Sequence, residues 1–127
     1  MKKLMCAILA ICGTQFAMAE IGSLYRSQTI DLKIAKVGSK YRVNADLSVG
    51  GCGGNYSGTG ALAGSTLNVF DAPTARENGG DSSEYMMKIK FSNNFQTAKI
   101  IHSPGMYYSG AACSFVDGGQ PNLRKVR

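Results

Sequence analysis

The chain has 127 residues, of which 14 are Lys or Arg, 8 are Asp or Glu and one is His. This length suits one domain and is too short for two, so one modest core must suffice. The formal net charge of +6 favours acidic partners such as anionic headgroups or an acidic protein, and no nucleic-acid partner is expected.

The first 19 residues have the pattern of a secretory signal. Lys2 and Lys3 form a positive n-region, residues 4–11 are apolar, and Ala17-Met18-Ala19 makes a small-x-small cleavage site. Removing 19 of 127 residues leaves 108 that begin at Glu20, with 12 basic and 8 acidic side chains and a net charge of +4. We expect a periplasmic or secreted protein without a transmembrane segment, since no stretch approaches the roughly 20 apolar residues of a membrane helix.

Cysteine usage predicts one disulfide. Cys6 and Cys12 lie in the predicted signal, which leaves Cys52 and Cys113 in an oxidising compartment. Closing a loop of about 60 residues would stabilise the fold by roughly 4 kcal/mol in the chain-entropy model. A lipid anchor on Cys12 is the alternative interpretation of the leader, but Ile11 stands where a lipobox needs a small residue.

Apolar and polar residues alternate along residues 41–49 and 85–91, and less cleanly along 30–34, which is typical of half-buried strands. Short turn signals lie between such runs, at Gly38-Ser39, Gly64-Ser65 and Ser92-Asn93-Asn94, and connections this short join antiparallel neighbours. Further strands are predicted at residues 56–63, 66–70, 95–102, 111–116 and 122–126. The predicted fold is all-β, a small antiparallel β-barrel or sandwich of about eight short strands, and the barrel is preferred because closure removes exposed edges.

The sequence has few residues that could serve as catalytic groups or metal ligands. His102 is the one histidine and has no nucleophile motif nearby, and one His with two oxidised Cys cannot form a zinc site. The glycine-rich run 50–54 lacks the Lys-Ser/Thr of a phosphate loop and instead predicts a close backbone approach around the disulfide. We therefore expect no enzyme, no metal and no cofactor. A hydrolase that uses two carboxylates from Asp71, Glu77, Asp81 and Glu84 ranks third among the functions.

One irregular stretch, residues 71–83, is either a mobile loop or a functional one. The other dense segment holds two adjacent tyrosines, of which one is expected to face the core and the other solvent. The candidate partner-binding residues come from these two regions. They are Asp71, Arg76, Glu77, Asp81, Glu84, Tyr107 and Tyr108.

Three segments resemble a family of small exported bacterial β domains: Gly51-Cys52-Gly53-Gly54 leading into residues 58–67, then residues 87–91, then residues 107–115. Such domains are similar to those beside lysozyme-inhibitor-like modules of the LprI type. Family members often carry two further cysteines, where this chain has Tyr85-Met86 and Gly105-Met106, which fits the loss of one whole bridge. The resemblance covers about residues 50–116 and assigns no inhibitory residue.

The predicted function is a non-enzymatic binding protein of the cell envelope, an inhibitor or immunity factor aimed at a cell-wall-degrading enzyme. The alternative is an envelope component that binds acidic glycan or lipid through basic residues on the strands. Those residues are Lys40, Arg42, Lys88, Lys90 and Lys99.

Overall fold

The computed structural model describes residues 20–80, 82–110, 113–116 and 122–127, so the signal predicted for residues 1–19 lies outside the described residues. The described chain forms a closed antiparallel barrel in which each strand pairs with its neighbours in sequence and the last pairs with the first. The strands are β1 (Leu24–Arg26), β2 (Ile30–Val37), β3 (Lys40–Val49), β4 (Cys52–Ala63), β5 (Thr66–Phe70), β6 (Met86–Phe91), β7 (Thr97–His102) and β8 (Leu123–Lys125). The predicted all-β barrel is confirmed.

The alternating pattern of the sequence is the inside and outside of this barrel. On β3, Val43 and Ala45 are fully buried while Arg42 faces solvent. On β6, Ile89 is fully buried and pairs with buried Leu67 of β5. Because successive side chains of a strand point to opposite faces, one apolar series per strand is enough to fill a small barrel.

The two ends of the barrel differ in the length of their connections. At one end, here called the hairpin end, lie the two-residue turns Gly38-Ser39 and Gly64-Ser65 and the short turn 92–96. Gly38 and Gly64 have φ of 64° and 65°, which the first position of a type II′ hairpin turn requires. At the opposite end, the loop end, lie the long connections that follow β5 and β7, together with the short turns 27–29 and Gly50-Gly51.

Two sequence predictions need correction. Residues 71–83 are not one irregular loop, since they contain the helix α1 (Ala72–Asn78) and the start of a 3-10 turn, Ser82–Tyr85. The strand predicted at 111–116 is absent from its described part, 113–116, where the Phe115 amide instead bonds the Ser103 hydroxyl. Residues 111 and 112 lie outside the described residues. The strand β1 was not predicted from the sequence, because its three residues are too few to show an alternating pattern.

The predicted disulfide is confirmed: Cys52 and Cys113 are bonded, with their Cα atoms 6.3 Å apart. It ties the start of β4 to the connection between β7 and β8, 61 residues further along the chain. Residues 113–116 do not pair with any described strand, and the disulfide therefore attaches this segment to the barrel.

Truncating the inner face is expected to cost far more than truncating the outer face. Ile89→Ala should lower the free energy of unfolding by about 2–5 kcal/mol, through lost burial and a residual cavity. Lys90→Ala, one residue on and exposed, should change it by less than about 0.5 kcal/mol. Urea denaturation measures both, and equal costs would contradict the assignment of faces.

Removing the disulfide is expected to destabilise the barrel strongly. The double variant Cys52→Ala, Cys113→Ala should lose roughly 2–5 kcal/mol of unfolding free energy, because the long loop is no longer closed in the unfolded chain. Intact-mass analysis of the purified wild type should show two protons fewer than the reduced form. Two free thiols in that sample would refute the bond.

Candidate functional site

The loop end presents its most prominent apolar groups on the turn 106–109. Met106 and Tyr107 each expose 69% of their surface, more than any other large apolar side chain in the described part of the chain. The turn is closed by backbone bonds from the Gly110 amide to the Met106 carbonyl (2.7 Å) and from the Tyr108 amide to the Gly105 carbonyl (3.1 Å). Two neighbouring apolar side chains are thus held in solvent by a well-bonded turn.

Tyr108 points the other way and anchors this turn to the barrel. Its ring is buried and packs edge-on against Tyr56 at 4.9 Å between centroids, while Tyr107 packs on its outer side at 5.1 Å. The Tyr108 hydroxyl donates to the Asp71 carboxylate at 2.7 Å. The adjacent tyrosines therefore divide as the sequence predicts, one inward and one outward.

The glycine run of β4 lets this turn approach closely. The Asn55 amide donates to the Tyr108 carbonyl at 3.1 Å. A Cβ atom on Gly54 would lie 2.8 Å from that same carbonyl oxygen, so a larger residue would push the turn away. The Ser109 hydroxyl donates to the Cys113 carbonyl at 2.8 Å and links the turn to the disulfide. The close backbone approach predicted from residues 50–54 is confirmed.

Asp71 has two structural tasks at once. One carboxylate oxygen accepts from Tyr108, and the other accepts from the Thr74 amide at 3.3 Å as the N-cap of α1. At the other end of α1, the Gly79 amide donates to the Ala75 carbonyl at 2.8 Å. Asp71 is therefore a positioning residue for the site and not a freely presented charge.

Of the remaining acidic candidates, Glu77 and Glu84 are exposed, and Asp81 lies outside the described residues. Glu77 is exposed on α1 beside Arg76, and Glu84 is exposed on the 3-10 turn. The Glu84 carbonyl accepts from the Gly105 amide at 2.8 Å, which joins the 3-10 turn to the segment that leads to Tyr107. The structure thus bonds Asp71 to Tyr108 directly and joins Glu84 to the same segment through Gly105.

His102 has a structural partner at the loop end. His102 bonds through its Nε2–H to the Ser83 carbonyl at 3.0 Å, which closes the end of β7 over the 3-10 turn. Across the described ranges, no three His, Cys, Asp or Glu side chains gather where they would hold a metal ion. The helices described here include none that is long and apolar enough to cross a membrane.

Sequence reasoning missed Met106, which shares the exposure of Tyr107. Met106 directly precedes the tyrosine pair and follows Pro104-Gly105, a turn signal that would have placed it at the tip of a loop.

The five basic residues of the alternative function do not form one surface. Lys40 and Arg42 lie on β3, whereas the other three, Lys88, Lys90 and Lys99, lie on β6 and β7.

The fold and the site together define a small disulfide-linked antiparallel β-barrel with an aromatic turn and acidic side chains at one end. No family model matches this chain, and no curated protein or solved structure matches it.

Burial raises the pKa of both Tyr56 and Tyr108 above the usual value, and for Tyr108 the bond to Asp71 raises it further. The stability contributed by their neutral hydroxyls is complete below about pH 10, the unfolded pKa, and is lost as the pH rises beyond it. Each such group lowers the unfolding free energy by up to about 1.4 kcal/mol per pH unit in that range. Tyr108→Phe should therefore flatten the fall in stability above pH 10.

The same variant should cost about 1–3 kcal/mol at pH 8, since Asp71 loses a donor in a half-buried position. Tyr107→Phe is the matched control, since it removes an exposed hydroxyl, and should leave the stability at pH 8 unchanged. Denaturant titrations across pH 8 to 11 measure both quantities. Parallel curves for Tyr108→Phe and the wild type would contradict the role of this hydroxyl.

Proposed function

We propose that the protein is a non-enzymatic binding protein of the cell envelope that inhibits, or protects against, a basic cell-wall-degrading enzyme. The observation that carries the proposal is the turn 106–109, with Met106 and Tyr107 each 69% exposed. Tyr and Met are both enriched in protein interfaces, so two adjacent exposed side chains of these types favour a binding surface. The resemblance to domains that accompany lysozyme-inhibitor-like modules does not transfer an inhibitory role, so the proposal depends on the turn and on the charges near it.

Preorganisation strengthens this interpretation. The turn is bonded to β4 through Asn55, to α1 through Asp71 and to the 3-10 turn through Glu84. Little backbone entropy would therefore be lost when Tyr107 is immobilised by a partner. Because this loss opposes binding, a rigidly held aromatic side chain binds more tightly than a flexible one.

The charges around the turn indicate the chemistry of the partner. Glu77 and Glu84 are exposed at the loop end, where Arg76 is the basic residue of α1. Lysozymes are usually basic, and a local acidic surface complements them even though the predicted mature chain has a net charge of +4. Charges further away than about 8 Å are largely screened at physiological ionic strength, so the local surface dominates once the partners meet.

A second candidate has a specific observation in its favour. Lys90 and Lys99 are directly opposite each other on β6 and β7, and both are exposed. Like charges in directly opposed positions destabilise a sheet, which favours a role in binding an anion such as an acidic glycan or lipid headgroup. Lys88 lies on the same pair of strands and is opposite His102.

The test measures binding of a purified basic lysozyme, with inhibition of cell-wall lysis as the activity readout. We expect Tyr107→Ser to weaken binding about ten-fold or more, as the loss of a central aromatic anchor does. The double variant Glu77→Lys, Glu84→Lys should weaken binding similarly and slow association. Asp71 is left unchanged because it caps α1.

A matched control separates local from global charge. Glu20→Lys with Ser39→Lys and Asn93→Lys changes the net charge by the same amount at exposed positions of the hairpin end, and should leave lysozyme binding intact. Lys90→Glu with Lys99→Glu should also leave it intact. If the wild type does not bind lysozyme but binds phosphatidylglycerol vesicles in a salt-sensitive way that requires Lys90 and Lys99, the second candidate replaces the first.

A further inference from the structure

A pocket of about 560 Å³ opens at the hairpin end of the barrel, away from the turn 106–109. This volume lies within the roughly 300–1,000 Å³ of ordinary small-molecule sites. Its walls combine apolar side chains with polar groups, and Lys36 places a cation among them. The residues used below are Ile21, Ile34, Lys36, Tyr41, Leu62 and Phe95.

The inner face of the barrel continues directly into this pocket. On β2 the inward series Leu32 and Ile34 reaches Lys36 at the next alternate position, where the barrel ends. Lys36 pairs in register with Tyr41 of β3, and its ammonium nitrogen lies 5.9 Å from the centre of that ring. The stem of Lys36 thus extends the apolar wall, while its charge stays at the mouth.

The charge of Lys36 is available to a ligand. In the described ranges the recorded ion pair joins Arg26 and Asp31, so no described carboxylate lies within salt-bridge distance of Lys36. Glu20 lines the mouth as well, and its backbone carbonyl accepts from the Lys125 ammonium at 3.1 Å. Among the lining residues, Lys36 and Glu20 are therefore the charged side chains.

Phe95 forms part of the wall in a conformation that a bulky residue rarely adopts. Its φ is 58°, and it is the one described residue other than glycine with a positive φ. The buried Tyr25 hydroxyl holds it there by donating to the Phe95 carbonyl at 2.6 Å, and the same hydroxyl accepts from the Gly22 amide at 2.9 Å. A strained residue fixed at the lip of a cavity is typical of a binding site.

We infer that this pocket binds a single-chain amphiphile with a carboxylate head, such as a free fatty acid. The carboxylate pairs with the Lys36 ammonium at the mouth, and the acyl chain lies against Ile34, Leu62 and Phe95. These three and Ile21 present apolar surface to the cavity, of which Ile21, Leu62 and Phe95 are only half-buried, so an acyl chain would remove it from water. The site does not depend on the proposed function, since it uses no residue of the loop end.

The test is displacement of fluorescent cis-parinaric acid from the purified protein by dodecanoate and by dodecanol, each below its micelle-forming concentration. The chain has no tryptophan, so intrinsic emission contributes little background. We expect saturable binding at one site, with dodecanoate preferred to dodecanol. Lys36→Met keeps the aliphatic stem and should weaken dodecanoate binding roughly two- to five-fold, the range of a partly exposed ion pair, without changing dodecanol binding.

The matched control is Lys33→Met, on the outer face of the same strand, which should bind both ligands like the wild type. Leu62→Trp and Ile21→Trp each fill the cavity from a different side, and whichever of them keeps the thermal transition of the wild type should lose both ligands. Several results would overturn the inference: no saturable binding by the wild type, equal losses in Lys33→Met and Lys36→Met, or unchanged binding in a folded cavity-filling variant. Loss of lysozyme binding in the loop-end variants has no bearing on these outcomes.

Discussion

The hydroxyl of Tyr56 sits inside the barrel, where its ring has no exposed surface, so its proton must be donated to the protein. It lies 2.8 Å from the Tyr85 carbonyl and 3.2 Å from the Val69 carbonyl, at the point where β5 ends and the 3-10 turn leads into β6. A buried hydroxyl without a partner would cost about 1–3 kcal/mol, so these bonds constrain Val69 near the end of β5 and Tyr85 just before β6. Tyr108 then packs on Tyr56 and, through Asp71, positions α1. The loop end therefore depends on polar groups that close the apolar core.

The same device occurs at the hairpin end, with different consequences. Tyr25 is fully buried, packs on Phe91 at 5.3 Å and uses its hydroxyl to join residue 22 to the turn that contains Phe95. Burial raises the pKa of Tyr25 as it does that of Tyr56, so both hydroxyls remain neutral donors at physiological pH. At the loop end this arrangement supports a protruding turn, whereas at the hairpin end it supports the wall of a cavity.

Strands could be predicted from the sequence where the period of two is long, and the rest depended on contacts that the local sequence does not contain. The alternation at residues 41–49 and 85–91 located β3 and β6 to within one residue at their N-terminal ends. The helix α1 was missed because a search for periodicity needs about ten residues, although Asp71, Pro73 and Gly79 are ordinary start and stop signals of a short helix. At 113–116 the apolar Phe115 suggested a strand, but Phe115 is buried in the core without joining the sheet, and its amide bonds the Ser103 hydroxyl instead of a strand. For the site, the sequence identified Tyr107, Tyr108 and Asp71, but only the fold shows that Tyr108 and Asp71 support the site and that Tyr107 is presented by it.

The separation of the two ends has a functional consequence. Between them the interior is filled by fully buried side chains such as Leu67, Met87 and Ile89, and close-packed interiors leave no open path for a ligand. The pocket residues and the turn 106–109 share no hydrogen bond or ring contact in the described structure, and sites without shared partners usually behave additively. Recognition at the loop end would then be the same whether the pocket is empty or occupied. A barrel of this size can therefore carry two binding surfaces, because the long connections after β5 and β7 both lie at the end opposite the pocket.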